Sequence, residues 1–401
     1  MNRLPRLLTT AILLFGLAIP SVLAQDKTTE EYQFTPVKVL PITPIQNQAH
    51  SSTCWAFSGL GFLEMEILRT TGKEVVLSPM HVVSHSYRDK ADSYVRYHGS
   101  NNFGPGGSFY DVLYSVKHYG IVPMSVMEGL NYGTKRHNHN ELHNMAEAYI
   151  QRLVKVMEKD GLTPAWKKSF ASIIDSYLGE LPESFPYEGK TYTPQSFLKE
   201  LGLNMDDYIS LTSFTHHPFY SQFAIEIPDN WRHGLSYNLP LDEFMSVIDN
   251  ALNSGYGIAW GSDVSEVGFN RNGLGVLIDV EAAENTGSDQ ARWIGATPSD
   301  KRAMIQELVN DPKAPEIKVT QENRQEGFDY LKTTDDHGMV LYGIAKDQNG
   351  KKFYMVKNSW GDAGKYKGIW YVSEAFVAGK TINIVVHKDA LPKAIRTKLG
   401  L

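Results

Sequence analysis

The chain's single cysteine, Cys54, lies in the run QAHSSTCWAFS, six residues after Gln48 and at the start of a helical pattern. Ser51, Ser52 and Thr53 are helix-capping types, and the apolar positions Trp55, Leu60, Leu63, Ile67 and Leu68 run on to a stop at Gly72. This places Cys54 in a first helical turn, where unpaired amides and the positive end of the helix dipole favour the nucleophilic thiolate. A buried, inert thiol is the alternative for a lone cysteine.

A base and its orienter stand near the other end of the chain. The runs DDHGMVLYGI and KKFYMVKNSWG flank Asp347, Gln348, Asn349 and Gly350, and two strand-like runs around an Asn-Gly turn predict a hairpin. The midpoint of His337 and Asn358 falls at the start of that turn, so the pair lies nearly opposite across an antiparallel ladder. The imidazole then takes the thiol proton, while the asparagine carbonyl accepts from the other ring nitrogen and fixes its tautomer.

Together these residues resemble the papain-like cysteine peptidases. Gln48, Cys54 and Trp55 match the motif around the nucleophile, Asp336, His337 and Gly338 the histidine step, and Asn358 to Gly361 the Asn-Ser-Trp-Gly step. The resemblance implies that Gln48 donates to the oxyanion, Cys54 attacks the carbonyl, His337 is base and then acid, Asn358 orients His337, and Trp360 shields their hydrogen bond from water. Gly106 and Gly107, in FGPGGSFYDVLYSVKHYGIVP, match the glycine pair that lines the substrate cleft, where a missing side chain lets a substrate backbone approach. Read without the family, the pair is an ordinary turn after Pro105. Trp360 joins the two glycines as an expected substrate-side residue. The implied fold is α+β and papain-like: a helical lobe carrying the nucleophile helix, an antiparallel β lobe carrying His337 and Asn358, and a large, mainly helical insertion over about residues 130–240.

Departures from the family pattern narrow the branch. Ser51 stands where secreted members carry a disulfide-forming cysteine, and Ser52 replaces a usual glycine. Cys54 and His337 are separated by far more than the ~130 to 150 residues of the papain and cathepsin pattern. With EIPDNWRHGLSYNLPLDEFMSVIDNALNSGYGIAWGSDVSE and RQEGFDYLKTTDDHGM, these features resemble the bleomycin hydrolase and aminopeptidase C branch from about Val37 onward. That resemblance implies a homo-oligomer, a hexameric barrel with its sites inside. In that branch a C-terminal arm lies in the cleft and offers its carboxylate to the substrate's amine. This chain stops at KDALPKAIRTKLGL, from which an open cleft and mixed or endopeptidase cleavage are expected, with aminopeptidase action as the family-based alternative. A peptide-binding homologue with weak turnover is the alternative of another class.

Composition agrees with a large enzyme. With 401 residues, 42% of them hydrophobic and 11% aromatic, the chain can bury an extensive core. Its formal charge of −6 offers no general attraction to nucleic acid, and there is no basic stripe. GxSxG, phosphate-loop and dinucleotide motifs are absent, which removes the usual serine-hydrolase and nucleotide readings. Residues 2–6 are positive, residues 7–19 almost wholly apolar, and Val22, Leu23 and Ala24 precede a polar Gln25. This predicts a signal peptide, residues 1–24, cleaved near Ala24, and a mature domain, residues 25–401, that is exported to the periplasm or secreted. The apolar run is shorter than the ~20 residues of a membrane span, so no stable anchor is expected after cleavage. Too few residues then precede Gln48 for a long inhibitory propeptide.

The middle of the chain is punctuated as helices. Leu142, Met145, Tyr149, Leu153, Val156 and Met157 form one apolar stripe; Thr163 and Pro164 open another through Trp166, Phe170, Ile174 and Tyr177 to Gly179. Thr193 and Pro194 repeat the device up to Gly202, and a further helix runs through Phe244, Met245, Ile248 and Leu252 to Gly255. These stripes are core positions, and no cofactor is implied. From Tyr256 the chain is expected to be mostly β. His139 and His143 have the spacing of zinc ligands but lack HExxH, so a solvated loop and helix start is preferred and no metal is assigned. His216 and His217 read as turn residues, Asp335 and Asp336 as exposed loop acids.

Overall fold

The computed structural model describes residues 31–284 and 296–401; residues 1–24, read as a leader, lie outside them. Three helices build the layer that holds the nucleophile: α1 (Cys54–Thr71), α2 (Pro79–Arg96) and α3 (Phe109–Tyr119). Every residue of α1 from 55 to 67 is buried. A helix with no solvent face must be apolar or small all round, as CWAFSGLGFLEMEI nearly is. Its two buried acids are paired: Glu64 accepts from Thr43 and from the Leu77 amide, and Glu66 meets Arg69 at 2.7 Å. The helix ends where the sequence indicated, at Gly72 in the left-handed conformation (φ 69°).

The helical stripes of the middle form α4 (Asn140–Asp160), α5 (Ala165–Leu178) and α6 (Pro194–Glu200), the last capped by Thr193 and preceded by the hairpin β2 (Phe185–Tyr187) and β3 (Lys190–Tyr192). The expectation of a mainly helical stretch from 130 to 240 holds only this far. Beyond Glu200 the chain forms β4 (Tyr208–Thr212), β5 (Gln222–Ala224) and β6 (Leu235–Asn238), which extend the main sheet. YISLT and LSYN are too short to show a period, and pairing within a sheet decided their conformation.

After α7 (Leu241–Asn253), the buried strand β7 (Ile258–Ser262) enters the sheet, followed by β8 (Leu274–Gly275) and the helices α8 (Val280–Glu284), α9 (Pro298–Leu308) and α10 (Gln321–Asp329). The predicted hairpin is β9 (His337–Lys346) and β10 (Lys352–Lys357), continued by β11 (Ile369–Ser373), α11 (Glu374–Lys380), β12 (Thr381–His387) and α12 (Lys393–Leu399). The sheet order is β5-β6-β4-β12-β7-β9-β10-β11-β8, with β1 (Thr35–Val39) also paired to β9.

Strand β9 is buried at every position but its last, and α1 packs across it. The close approach depends on Gly338, where a Cβ would lie 2.7 Å from Ser58 Oγ on α1. The residue after His337 is thus a point at which nucleophile helix and histidine strand leave no room for a side chain. A buried polar tie fixes the same junction: Lys357, the last residue of β10, donates to Thr43 Oγ1 at 2.7 Å and lies 3.9 Å from Glu64 of α1. Removing one partner of such a group leaves the other charge uncompensated, so the tie favours one relative placement of α1 and β10.

Candidate active site

The turn before Cys54 is built by backbone more than by caps. Ala49 and Ser52 have φ of 48° and 55°, so Ser52 occupies the left-handed region that suits the glycine it replaces. Thr53 makes no side-chain cap to α1, contrary to the capping expected of Ser51, Ser52 and Thr53; instead Ser51 Oγ and Thr53 Oγ1 bond each other at 2.6 Å. The turn is held by chain pairing: the Gln48 amide to Ser359 O at 2.8 Å, the His50 amide to His137 O at 3.0 Å, and the His139 amide to His50 O at 3.1 Å. These bonds stabilise the segment where the family disulfide is missing. They also absorb His139, which is buried beside Tyr132 and His137 rather than solvated in a loop.

His337 Nε2 donates to Asn358 Oδ1 at 2.8 Å, both residues buried. The hairpin register differs from simple mirror counting. A bulge between Met355 and Val356 brings Lys357 opposite Val340, so the two side chains meet on one face as a diagonal pair. With Nε2 occupied as donor, Nδ1 is the nitrogen left to act as base. Trp360 lies over His337 with ring centroids 4.7 Å apart and an interplanar angle of 30°, and is itself backed by Trp370 and Phe269. It covers the imidazole, the shielding geometry, and does not line the cavity described below.

Gln48 is buried, and its Oε1 accepts from Ser359 Oγ at 2.5 Å. The amide NH₂ is therefore the end left free of Ser359, a donor whose orientation that bond fixes. Ser359 was legible only as a letter of the Asn-Ser-Trp-Gly step; its work is to orient Gln48. For Gln48→Ala, kcat is expected to fall about 10²- to 10³-fold with KM little changed, because an oxyanion donor acts once negative charge has formed. Steady-state kinetics on a peptide amide check this, and a change confined to KM would refute it.

Cys54 and His337 line one small cavity together with Gly107 and Gly338. The sequence expectation of a ready thiolate is corrected here. Burial pushes the Cys54 thiol up to about 12, although the amides of Gly338 and Trp55 oppose that shift. Burial likewise lowers His337 to about 4, against the pull of its bond to Asn358. Desolvation outweighs the helix dipole, and each group is held neutral; the thiol proton must pass to His337 as attack proceeds.

Gly107 lines this cavity, whereas Gly106, expected beside it, is covered by the Asp229 side chain. A Cβ on Gly107 would lie 2.9 Å from the Trp55 ring, and one on Gly106 only 2.1 Å from Asp229 Oδ2. Trp55 Nε1 donates to Pro105 O at 3.2 Å, and Lys90 of α2, fully buried, donates to Gly104 O at 2.6 Å and to Gly106 O. Burial lowers Lys90 to about 8, so its charge is held by carbonyls in place of water. Nothing in SHSYRDKADSY marks Lys90 as more than a helix-surface cation. Lys90→Met is expected to raise KM about tenfold through a loosened glycine wall, with a smaller change in kcat. Unchanged KM with lost thermal stability would mean that Lys90 supports the fold alone.

Asp336 is exposed in a loop, as expected, whereas Asp335 is half-buried. Asp336 accepts from the amides of Val264 and Ser265 at 2.7 and 3.0 Å, and Asp335 lines the cavity with Asp229. Among the described residues, the His, Cys and acid side chains close enough to share a metal are His216, His217 and Glu226. Gln325 Oε1 accepts from the Thr215 amide, so its Nε2 donates to His216 Nδ1, and His216 Nε2 carries its proton toward Glu226 at 3.0 Å. That tautomer leaves no lone pair facing Glu226, and the set is bonded as imidazole and carboxylate.

The model of the Peptidase C1-like family matches residues 79–286 and 297–400. Aminopeptidase C of Streptococcus thermophilus is 24% identical over 389 residues, which cover 86% of this chain and 81% of that protein. Aminopeptidase G of Lactobacillus delbrueckii subsp. lactis is 23% identical, over 88% of this chain and 83% of its own length. The crystal structure of PepW from Lactobacillus rhamnosis superposes with a TM-score of 0.67 at 22% identity, over 91% of this chain and 84% of that one.

Proposed function

Because the chain belongs to the Peptidase C1-like family, in its bleomycin hydrolase and aminopeptidase C branch, and is thus a cysteine-type peptidase of papain-like α+β fold, we propose that Cys54, His337, Asn358 and Gln48 carry the reaction. The observation that carries this reading is the 2.8 Å bond from His337 to Asn358 at the edge of a cavity that Cys54 shares. Asn358 fixes the tautomer in which His337 Nδ1 accepts the thiol proton as sulfur attacks the substrate carbonyl. The oxyanion meets the Gln48 NH₂ and the first-turn amide of Cys54. His337 then gives its proton to the leaving amine. Water, deprotonated by the same nitrogen, hydrolyses the thioester and frees the acid. Substrates are peptides, and the relatives' names favour release of amino-terminal residues over internal cleavage.

The test is a mixed peptide library digested by the purified mature chain, with and without iodoacetamide. Thiol-blocked cleavage yielding single amino-terminal residues is expected. Cleavage that survives full alkylation of Cys54 would overturn the assignment, and binding without cleavage would leave the peptide-binding alternative. On the pattern of residues 2–24 we also place the mature enzyme outside the cytoplasm. Fractionation of producing cells, with amino-terminal sequencing of the product near Gln25, checks this location.

A further inference from the structure

Three carboxyl groups line the catalytic cavity with Cys54 and His337: Asp336, which the amides of Val264 and Ser265 already hold, and Asp229 and Asp335. Asp229 accepts one hydrogen bond, from Asn102 Nδ2 at 3.3 Å, and among the described residues none reaches Asp335 and no cation lies within ion-pair distance of either. Lys90, the basic group that acts on Asp229, bonds the carbonyls of Gly104 and Gly106 instead. Carboxyl groups half-buried in a cavity without a cation beside them are costly to ionise, and such groups mark places where a ligand supplies the missing charge.

Their setting is rigid. Asp229 sits at the tip of a loop, residues 225–234, laced by the buried Asn230, which bonds Ile225 O and Gly234 O at 3.1 Å and the Gly234 amide at 2.8 Å. Arg232 pins the same loop to Asp111 of α3 at 2.7 Å and to Asp89 of α2. Its tip rests against Gly106, on the wall expected to receive the substrate backbone. The cavity left is about 30 Å³, room for a water-sized group such as one ammonium but not for a further residue. The expected open cleft is therefore closed at this end, while Leu401 lines a different cavity with Tyr110 and Tyr114.

We propose that Asp229 and Asp335 are the receptor for the free α-ammonium group of the substrate, with the loop of residues 225–234 ending the cleft so that cleavage follows the first residue. The proposal rests on Cys54 being the nucleophile of this cavity. A lysine or arginine side chain carries the same charge, but its long stem exceeds the space. The electrostatics agree: burial, then Asp229 and Asp336, raise Asp335 to about 8, and both Asp335 and Asp229 disfavour the Cys54 thiolate. An ammonium placed between the two acids cancels that opposition, so a free-amine substrate eases ionisation of the thiol that attacks it.

Three fluorogenic amides distinguish the sources of charge: leucine amide with a free amine, N-acetyl-leucine amide, and N-acetyl-lysyl-leucine amide. The wild-type chain is expected to prefer the first by about 10²-fold or more in kcat/KM. Asp229→Asn and Asp335→Asn should each lower kcat/KM on it about 10- to 100-fold, and should at the same time speed alkylation of Cys54 by iodoacetamide at about pH 9, above the value of about 8 to which Asp335 is raised. Unfolding would also expose Cys54 and speed its alkylation, so support for the receptor is a wild-type thermal midpoint together with a loss confined to the free-amine substrate. Equal cleavage of free and acetylated leucine amide, preference for the lysyl substrate, or variants that keep the preference would overturn it. If Cys54→Ala cleaves all three as wild type does, the nucleophile assignment falls and this proposal with it.

Discussion

Cys54→Ala is expected to lower kcat for peptide hydrolysis by about 10⁵-fold or more, to the residual rate that binding and oxyanion stabilisation alone provide. The reason is structural as well as chemical. Cys54 is the one thiol in the sequence, its sulfur faces the cavity shared with His337, and neither Ser51 nor Ser52 can replace it. Ser51 is wholly buried and bonded to Thr53, and Ser52 is exposed on the outside of the turn. The fold should survive, since Cys54 makes no disulfide and only its side chain is lost. Retained circular dichroism and thermal midpoint, with cleavage of the leucine amide at background, is the expected pair of results. Activity within tenfold of wild type would show that another group attacks, and would remove the basis for every role assigned around it.

How much of this site a reader of the sequence can reach depends on the distance over which each contact acts. The start of α1, the hairpin and its Asn-Gly turn are local, and the types and spacing of Gln48, Cys54, His337 and Asn358 announced them. The bulge at Met355 was not announced, because it answers to packing between β9, β10 and α1 rather than to its own residues. Capping of α1 departs from its sequence pattern for a similar reason. Ser51 and Thr53 have cap chemistry, but pairing of the turn with residues 137–139 and with Ser359 fixed their geometry first. Asp229, Asp335 and Lys90 look like solvated charges in IPDNW, TTDDH and RDKAD. Their removal from solvent, complete for Lys90 and partial for the two acids, arises only where the loop of residues 225–234, α2 and the approach to β9 come together around the cavity. Elements were thus legible where neighbours in sequence decide them, and function-bearing charges were hidden where neighbours in space do.

His337→Ala should cost about 10⁴-fold in kcat, less than the loss of Cys54 because a small thiolate fraction still attacks, and Asn358→Ala only about 10- to 100-fold. The difference follows from what each does. His337 moves the proton twice, whereas Asn358 fixes one tautomer through its 2.8 Å bond, and Trp360 still holds the ring from above. The pH profile separates these roles from simple damage. Imidazolium cannot accept the thiol proton, so wild-type kcat/KM is expected to rise with pH through about 4, the value to which burial lowers His337, and not through its ordinary value of 6.5. Because Cys54 is held up to about 12, no loss from a second deprotonation of the pair is expected near neutrality. In Asn358→Ala the hydrogen bond that raises His337 is gone while burial remains, and the acid limb should move lower still. A limb that moves up toward 6.5 would show that water has entered beneath Trp360, making Asn358 part of the seal as well as the orienter. Equal losses for Asn358→Ala and His337→Ala would show that without its fixed tautomer the imidazole does not serve as a base in this cavity at all.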